Sequence, residues 1–265
     1  MDFIVDYYFN WGIIKDSFDV VLDGFVFTIK LSIVSGVLSL IWGLVLAVLR
    51  QLPGRALAPV RWITIGYIDV FRGIPALLVL FLVSGFLAAG QTDGTIPEWL
   101  GLPTWFGQPT WFWYGVIGLT LTYGAYMAEV YRAGIEAVPG GQMEAARSIG
   151  MSHGQAMRFV IVPQAVRTVI PPLLNDFIAL MKDTSLVFAI GGAEVIDAGF
   201  DIQSDTFNGS AFILGAVFYL LITIPLARLV DVLITRQQEK TRRGGEPADS
   251  TETRPPSTPP GMVGA

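Results

Sequence analysis

Gln142-Met143-Glu144-Ala145-Ala146-Arg147-Ser148-Ile149-Gly150, followed nine residues later by Val160-Ile161-Val162-Pro163, is the heart of a longer stretch running from Glu129 to Leu186. Apolar segments flank it on both sides. Pro139-Gly140-Gly141 ends the helix before it, because proline breaks the hydrogen-bond ladder and glycine weakens it. Gln142 to Ile149 is a run of good helix formers, and Gly150 supplies a C-cap. Ala145 and Ala146 are small, so another surface can approach the backbone. Glu144 and Arg147, three apart, offer charges to a partner or to each other. A second helical segment over about 152–161 reaches Pro163, and Gln164-Ala165-Val166-Arg167 leads back into apolar sequence. The expectation is a compact, charged, helical knob tied stiffly to two membrane spans. Force on the knob would move those spans as a unit.

Composition supports the membrane reading. The 265 residues are 52% hydrophobic and only 15% charged, with mean hydropathy +0.57. That is the signature of a polytopic membrane protein. Seventeen Lys+Arg against 22 Asp+Glu give a net charge of -5, which argues against a nucleic-acid binder. With no cysteine, thiol chemistry, disulfides and Cys-based metal sites are excluded; one histidine makes a His-based site a poor expectation. The start, Met1-Asp2-Phe3-Ile4-Val5-Asp6, lacks the basic n-region of a cleavable signal and is expected to be retained.

Hydropathy predicts an all-α integral membrane protein with five transmembrane helices over about 25–49, 62–88, 111–132, 168–190 and 209–234. Residues 1–23 mix Tyr7, Tyr8, Phe9 and Trp11 with Asp2, Asp6, Asp16, Asp19 and Asp23, and read as an external, interfacial N-terminal segment. Pro75 is placed to kink the second span. Residues 90–109 read as an outer loop; Trp99, Trp105, Trp111 and Trp113 form an interfacial belt. The central loop occupies about 133–167. Residues 237–265, rich in Pro, Ser and Thr beyond Arg243, are expected to be a disordered cytoplasmic tail.

Basic residues set the orientation. Arg50, Arg55 and Arg61, the central-loop Arg147, Arg158 and Arg167, and Arg236, Lys240, Arg242 and Arg243 lie on one side. The loops carrying Asp93 and Glu98, and Glu194, Asp197, Asp201 and Asp205, contain no basic residue. The positive-inside rule puts the N-terminus outside and the C-terminus in the cytoplasm. Five spans agree with that parity.

The fourth span is unusually polar: Asn175, Asp176, Lys182, Asp183, Thr184 and Ser185. A charge at mid-span costs ~2.5–3.5 kcal/mol on insertion scales, so such groups face a bundle interior, a partner or a pathway. They are candidates for a translocation path, with a structural role in packing or dimer contact as the alternative. Asp176 and Lys182, six apart, do not share one helix face closely. Arg72 is a candidate gate residue or an ordinary positive-side anchor. Glu129 and Arg132 are expected to pair on the third helix. His153 reads as a surface residue beside the Gly150 turn.

The order Glu-Ala-Ala, three residues, Gly150, nine residues and an aliphatic ending at Pro163 resembles the cytoplasmic loop of permease subunits of binding-protein-dependent ABC importers. Ala125-Tyr126-Met127-Ala128-Glu129-Val130-Tyr131-Arg132-Ala133-Gly134-Ile135, Lys182-Asp183-Thr184-Ser185-Leu186 and Phe71-Arg72-Gly73-Ile74-Pro75 resemble its polar amino-acid branch. Val160 and Val162 replace the usual Ile and Leu. The resemblance covers roughly residues 20–235. It implies the type I importer permease fold, with Glu144, Ala145, Ala146, Arg147 and Gly150 in the coupling loop that docks on an ATPase. It implies ABC ATPase subunits, an identical or similar permease, an external substrate-binding protein and an amino-acid cargo as partners, in a bacterial inner membrane. No cofactor is implied for this chain: ATP belongs to the ATPase, and no Gly-x-x-x-x-Gly-Lys-Ser/Thr stretch is present here. The chain is then a non-catalytic subunit that couples conformations. An ATPase-independent channel, and a membrane-embedded enzyme using Asp176, Lys182 and Asp183, are the competing readings.

Overall fold

The structure is a computed structural model that describes residues 2–96 and 107–245. Among them, every regular element is helical. Two short N-terminal helices, α1 (Asp2–Tyr8) and α2 (Trp11–Asp16), precede the long α3 (Phe18–Arg50). The expected interfacial N-terminal segment therefore holds two helices, and residues 18–23 belong to α3. Next come α4 (Ala58–Gly73), α5 (Ala76–Thr92) and α6 (Thr110–Glu136). The central loop folds into α7 (Gly140–Ser148), α8 (His153–Ala156) and a π-turn at Met157–Ile161. It runs on into α9 (Val162–Asp183), a 3-10 segment (Thr184–Ile190), α10 (Val195–Thr206) and α11 (Ser210–Gly245).

α3 and α6 form the spine, side by side and running the same way. Phe27 meets Trp111 near one end and Arg50 meets Glu129 near the other. Ser35, Ser39, Gly43 and Ala47 recur every four residues on α3, and all are buried. Such a small-residue stripe lets two helices approach closely where lipid gives no hydrophobic drive between them. Ile33, Val37, Ile41, Leu44 and Val48 lie on the opposite face and are exposed. A helix apolar on both faces suits protein on one side and hydrocarbon on the other. Leu31, Leu80, Phe112, Val116, Leu119, Leu180 and Val187 build one core between α3, α5, α6 and α9. Val21, Phe25, Val195, Ala198, Leu214 and Phe218 build another between α3, α10 and α11.

Two helices, Phe18–Arg50 and Ser210–Gln237, are each long and apolar enough to cross a bilayer, and α4 with α5 qualifies as a broken pair. In this pair the helix expected to kink at Pro75 is broken outright. It bends by 111° at Gly73-Ile74-Pro75. Pro75 has no N–H to give and drives Ile74 into an extended conformation, φ -94 and ψ 134. α11 also differs from expectation: it continues to Gly245, so residues 237–245 are helical. The remainder of the expected tail, with Glu98, Trp99 and Trp105, lies outside the described residues.

The N-terminal helices are fastened to the α10–α11 corner. Gly209 N–H donates to Tyr7 C=O at 2.9 Å and Asn10 N–H donates to Ser210 Oγ at 2.9 Å. Asn208 Nδ2 donates to Asp6 C=O at 2.7 Å.

Candidate functional site: a helical knob and a polar cavity

The knob is α7 with the turn that follows it. Gly150 is left-handed, φ +91. Its N–H donates to Arg147 C=O at 3.1 Å, and Met151 N–H donates to Ala146 C=O at 3.2 Å. These two bonds make a Schellman cap, which requires a residue tolerant of positive φ at the glycine position. Ser152 and Gln155 then form a capping box that starts α8. The knob is thus closed by local bonds at both ends of its turn.

Its faces are distinct. Ala146 is buried, on a helix that packs against α8 and the π-turn, whereas Glu144, Ala145, Arg147 and Gly150 are exposed. Ile149 is 78% exposed, an apolar group left uncovered beside the charges. Arg147 Nη1 donates to Met151 C=O at 2.8 Å, so it braces its own turn. Among the described residues it makes no ion pair with Glu144. Of the five residues expected to couple, four form a continuous outer face and Ala146 anchors it from beneath.

The second feature is a cavity of about 470 Å³ at the α4–α5 break. Arg72, Gly73, Ile74, Pro75, Tyr123, Tyr126, Asp176 and Asp183 line it. The break positions Arg72; α6 supplies both tyrosines; α9 supplies both acids. Tyr123 OH donates to Asp183 Oδ2 at 2.8 Å. Asp176 Oδ2 is buried without a hydrogen-bond partner, and Arg72 is a cation whose field it feels. Arg72 lies 5.6 Å over the Tyr126 ring. The cavity therefore presents a guanidinium and two carboxylates, with one carboxylate oxygen unmatched.

The path candidates divide. Arg72, Asp176 and Asp183 meet here. Lys182 and Ser185 line a different, mostly apolar cavity of about 450 Å³ beside Phe212 and Tyr219 of α11. Asn175 is exposed and lines neither. The cause is helical phase: neighbouring residues point about 100° apart, so Asp183 turns to α6 while Lys182 turns to α11.

Beneath the cavity lies an ionic cluster only partly visible in the sequence. Glu129 pairs with Arg132, as its spacing predicts, at 2.6 Å. It also accepts from Arg50 of α3 at 2.5 Å and lies 3.6 Å from Arg72. Arg132 reaches Glu136 at 2.5 Å. Tyr123 carried no sequence signal beyond its place in an apolar helix, and Tyr126 was marked only as part of the 125–135 segment.

Comparisons with known proteins identify the family. The family model described as "Binding-protein-dependent transport system inner membrane component" matches residues 39–239. The "Probable glutamine ABC transporter permease protein GlnM" of Bacillus subtilis is 34% identical over 231 residues, 87% of this chain and 99% of its own. The glutamate/aspartate import permease protein GltK of Escherichia coli is 34% identical over 235 residues, 87% of this chain and 99% of its own. The crystal structure of an amino acid ABC transporter with histidines superposes with a TM-score of 0.72 at 32% identity, covering 84% of this chain and 96% of that one. An all-helical body, a capped knob of this spacing and these matches lead to one assignment: the chain belongs to the family of inner-membrane components of binding-protein-dependent transport systems, the non-catalytic permease subunits of ABC importers.

Proposed function

We propose that this subunit carries a polar or charged amino acid through the cavity at the α4–α5 break, powered by an ATPase that grips α7. The observation that carries the reading is the charge pattern of that cavity. A zwitterion needs a cation for its carboxylate and an anion for its ammonium. Arg72 and Asp176 offer both, with Asp183 held by Tyr123 nearby. Buried polar groups without partners are costly, so the unmatched Asp176 oxygen is best explained by a ligand that satisfies it. An apolar-lined channel pore would not need such a set.

The proposal includes five crossings, an external N-terminus and a cytoplasmic α7 and C-terminus. One chain provides half of a two-fold pathway, so it works with a second copy or a similar permease. ATP is bound and hydrolysed by the partner ATPase, and an external binding protein delivers the cargo. The channel reading loses ground to the knob, which a passive pore does not require. The enzyme reading loses ground because Lys182 lines a different cavity from Asp176 and Asp183.

The test is uptake of radiolabelled glutamine, glutamate and arginine into liposomes holding the assembled transporter. Asp176→Asn is expected to cut uptake of the accepted amino acid at least about tenfold, the loss expected when one charge-assisted contact goes. Unchanged uptake would remove the cavity from the pathway.

A further inference from the structure

Arg72 lies between the cavity and the ionic cluster below it. In that cluster Glu129 is already well matched. Its Oε1 accepts from Arg50 Nη1 at 2.5 Å and its Oε2 accepts from Arg132 Nε at 2.6 Å. Arg132 also serves Glu136. The cluster thus sets Arg50, Arg72 and Arg132 against Glu129 and Glu136, and Arg72 is the cation left over. Its 3.6 Å approach to Glu129 is beyond hydrogen-bond reach, and its side chain is 41% exposed. A half-exposed ion pair of that kind is weak and readily exchanged. A carboxylate that meets the guanidinium fork with two parallel bonds holds it better.

The backbone around Arg72 is arranged so that the side chain can move while the helix stays. Tyr126 OH donates to the Arg72 C=O at 3.4 Å. Tyr67, one turn earlier, donates to Leu121 C=O and accepts from Trp42 Nε1, each at 2.9 Å. α4 is therefore tied to α3 and α6. α5 leaves α4 through the extended Ile74 and Pro75 and packs on α6 through the buried Leu80. Few residues at an element end are enough for a hinge. Glu129 itself lies on α6, the helix that leads into α7.

We propose that Arg72 is a two-position latch. With the cavity empty it rests against Glu129 and holds the α4–α5 elbow to α6. The carboxylate of an arriving amino acid draws Arg72 up into the cavity, its hold on Glu129 is lost, and the change passes along α6 to α7. The proposal rests on reading the cavity as the cargo's station. By linkage, an event at α7 that favours the withdrawn Arg72 also strengthens cargo binding.

The test is ATP hydrolysis by the liposome-embedded transporter, assembled with its ATPase and binding protein, with and without the amino acid that the wild type takes up. In Arg72→Gln the Arg50–Glu129–Arg132 bonds remain, so the fold is kept. Its cargo-free hydrolysis is expected to rise about fivefold or more toward the stimulated rate, the low end of couplings between linked sites. Glu129→Gln is expected to do the same, and the double variant to rise no further than either. Arg72→Lys keeps the charge without the fork and should recover only part of the stimulation. If both single variants form intact complexes whose cargo-free hydrolysis and stimulation match the wild type, there is no latch. A simple membrane anchor would also leave those rates alone and be fully replaced by Lys. Uptake by Asp176→Asn reports on the cavity separately: wild-type uptake there overturns the station, whatever the Arg72 variants show.

Discussion

Gly150 is a residue where backbone geometry alone sets the outcome of a substitution. A Cβ there would meet nothing within 4 Å, yet φ is +91. Gly150→Ala should therefore cost about 1–2 kcal/mol from the left-handed backbone and nothing from crowding. Thermal unfolding in detergent reads that cost, and loosening of the α7 turn should lower cargo-stimulated hydrolysis as well. Glu144 is the contrasting case, exposed and unpaired among the described residues. Glu144→Arg should leave insertion and stability within about 0.5 kcal/mol, as for a surface change, while abolishing ATP-driven uptake. Stability and uptake measured on one preparation separate the two effects. Legibility at this scale followed the physics of each residue. Gly150 and Glu144 were readable because local helix chemistry places them. The six-residue step from Asp176 to Lys182 already set them on different faces, but composition reports polarity in a span and not which cavity each face meets.

At the scale of elements, packing between α3 and α6 determines whether the body forms. A Cβ at Gly43 would lie 2.8 Å from Met127 Cβ, 2.9 Å from the Gly124 carbonyl oxygen and 3.1 Å from the Ala128 amide nitrogen. Backbone cannot yield as a flexible side chain can. Gly43→Ala should destabilise by about 1–3 kcal/mol, the usual cost of overpacking. A lower unfolding midpoint, with Gly66→Ala as an open-space control on α4, checks it. The apolar stretches 25–49, 111–132 and 209–234 announce helices that are present. The second stretch did not announce its break, because Pro75 in an apolar run is compatible with a gentle kink or a sharp elbow. The choice depends on α6, whose Tyr126 holds the Arg72 carbonyl. The small-residue stripe of α3 was in plain view, yet its partner helix was not, since spacing names a face but not what meets it.

At the scale of the whole molecule, the end where α10 meets α3 and α11 is closed by a carboxylate. Glu194 is fully buried, caps α10 by accepting from Ile196 N–H at 2.7 Å, and leaves its Oε2 unmatched. Burial pushes its pKa from 4.5 up to about 8. The folded state thus holds this proton more tightly than the unfolded chain. The stabilisation is complete below the ordinary carboxylate range and is lost as pH rises through about 8. The unfolding midpoint in detergent should fall as pH rises from 4.5 to about 8 and level off above it, and Glu194→Gln should flatten that slope. Nothing in the sequence separates Glu194 from Asp197, Asp201 and Asp205, its neighbours in an acidic loop. Its role depends on α3 and α11 closing over it. The all-helical architecture was legible for the opposite reason: hydropathy is a sum over many residues, and single errors average out.

The central claim is that α7 is a handle on the cytoplasmic face, held by an ATPase. The chain contains no cysteine, so a single Ala145→Cys variant can be labelled without background. Labelling with a membrane-impermeant maleimide in inside-out and right-side-out vesicles, with and without the ATPase, tests it directly. The account predicts labelling only in inside-out vesicles, and protection once the ATPase is bound. Labelling from the external side, or labelling that the ATPase leaves unchanged, would contradict it.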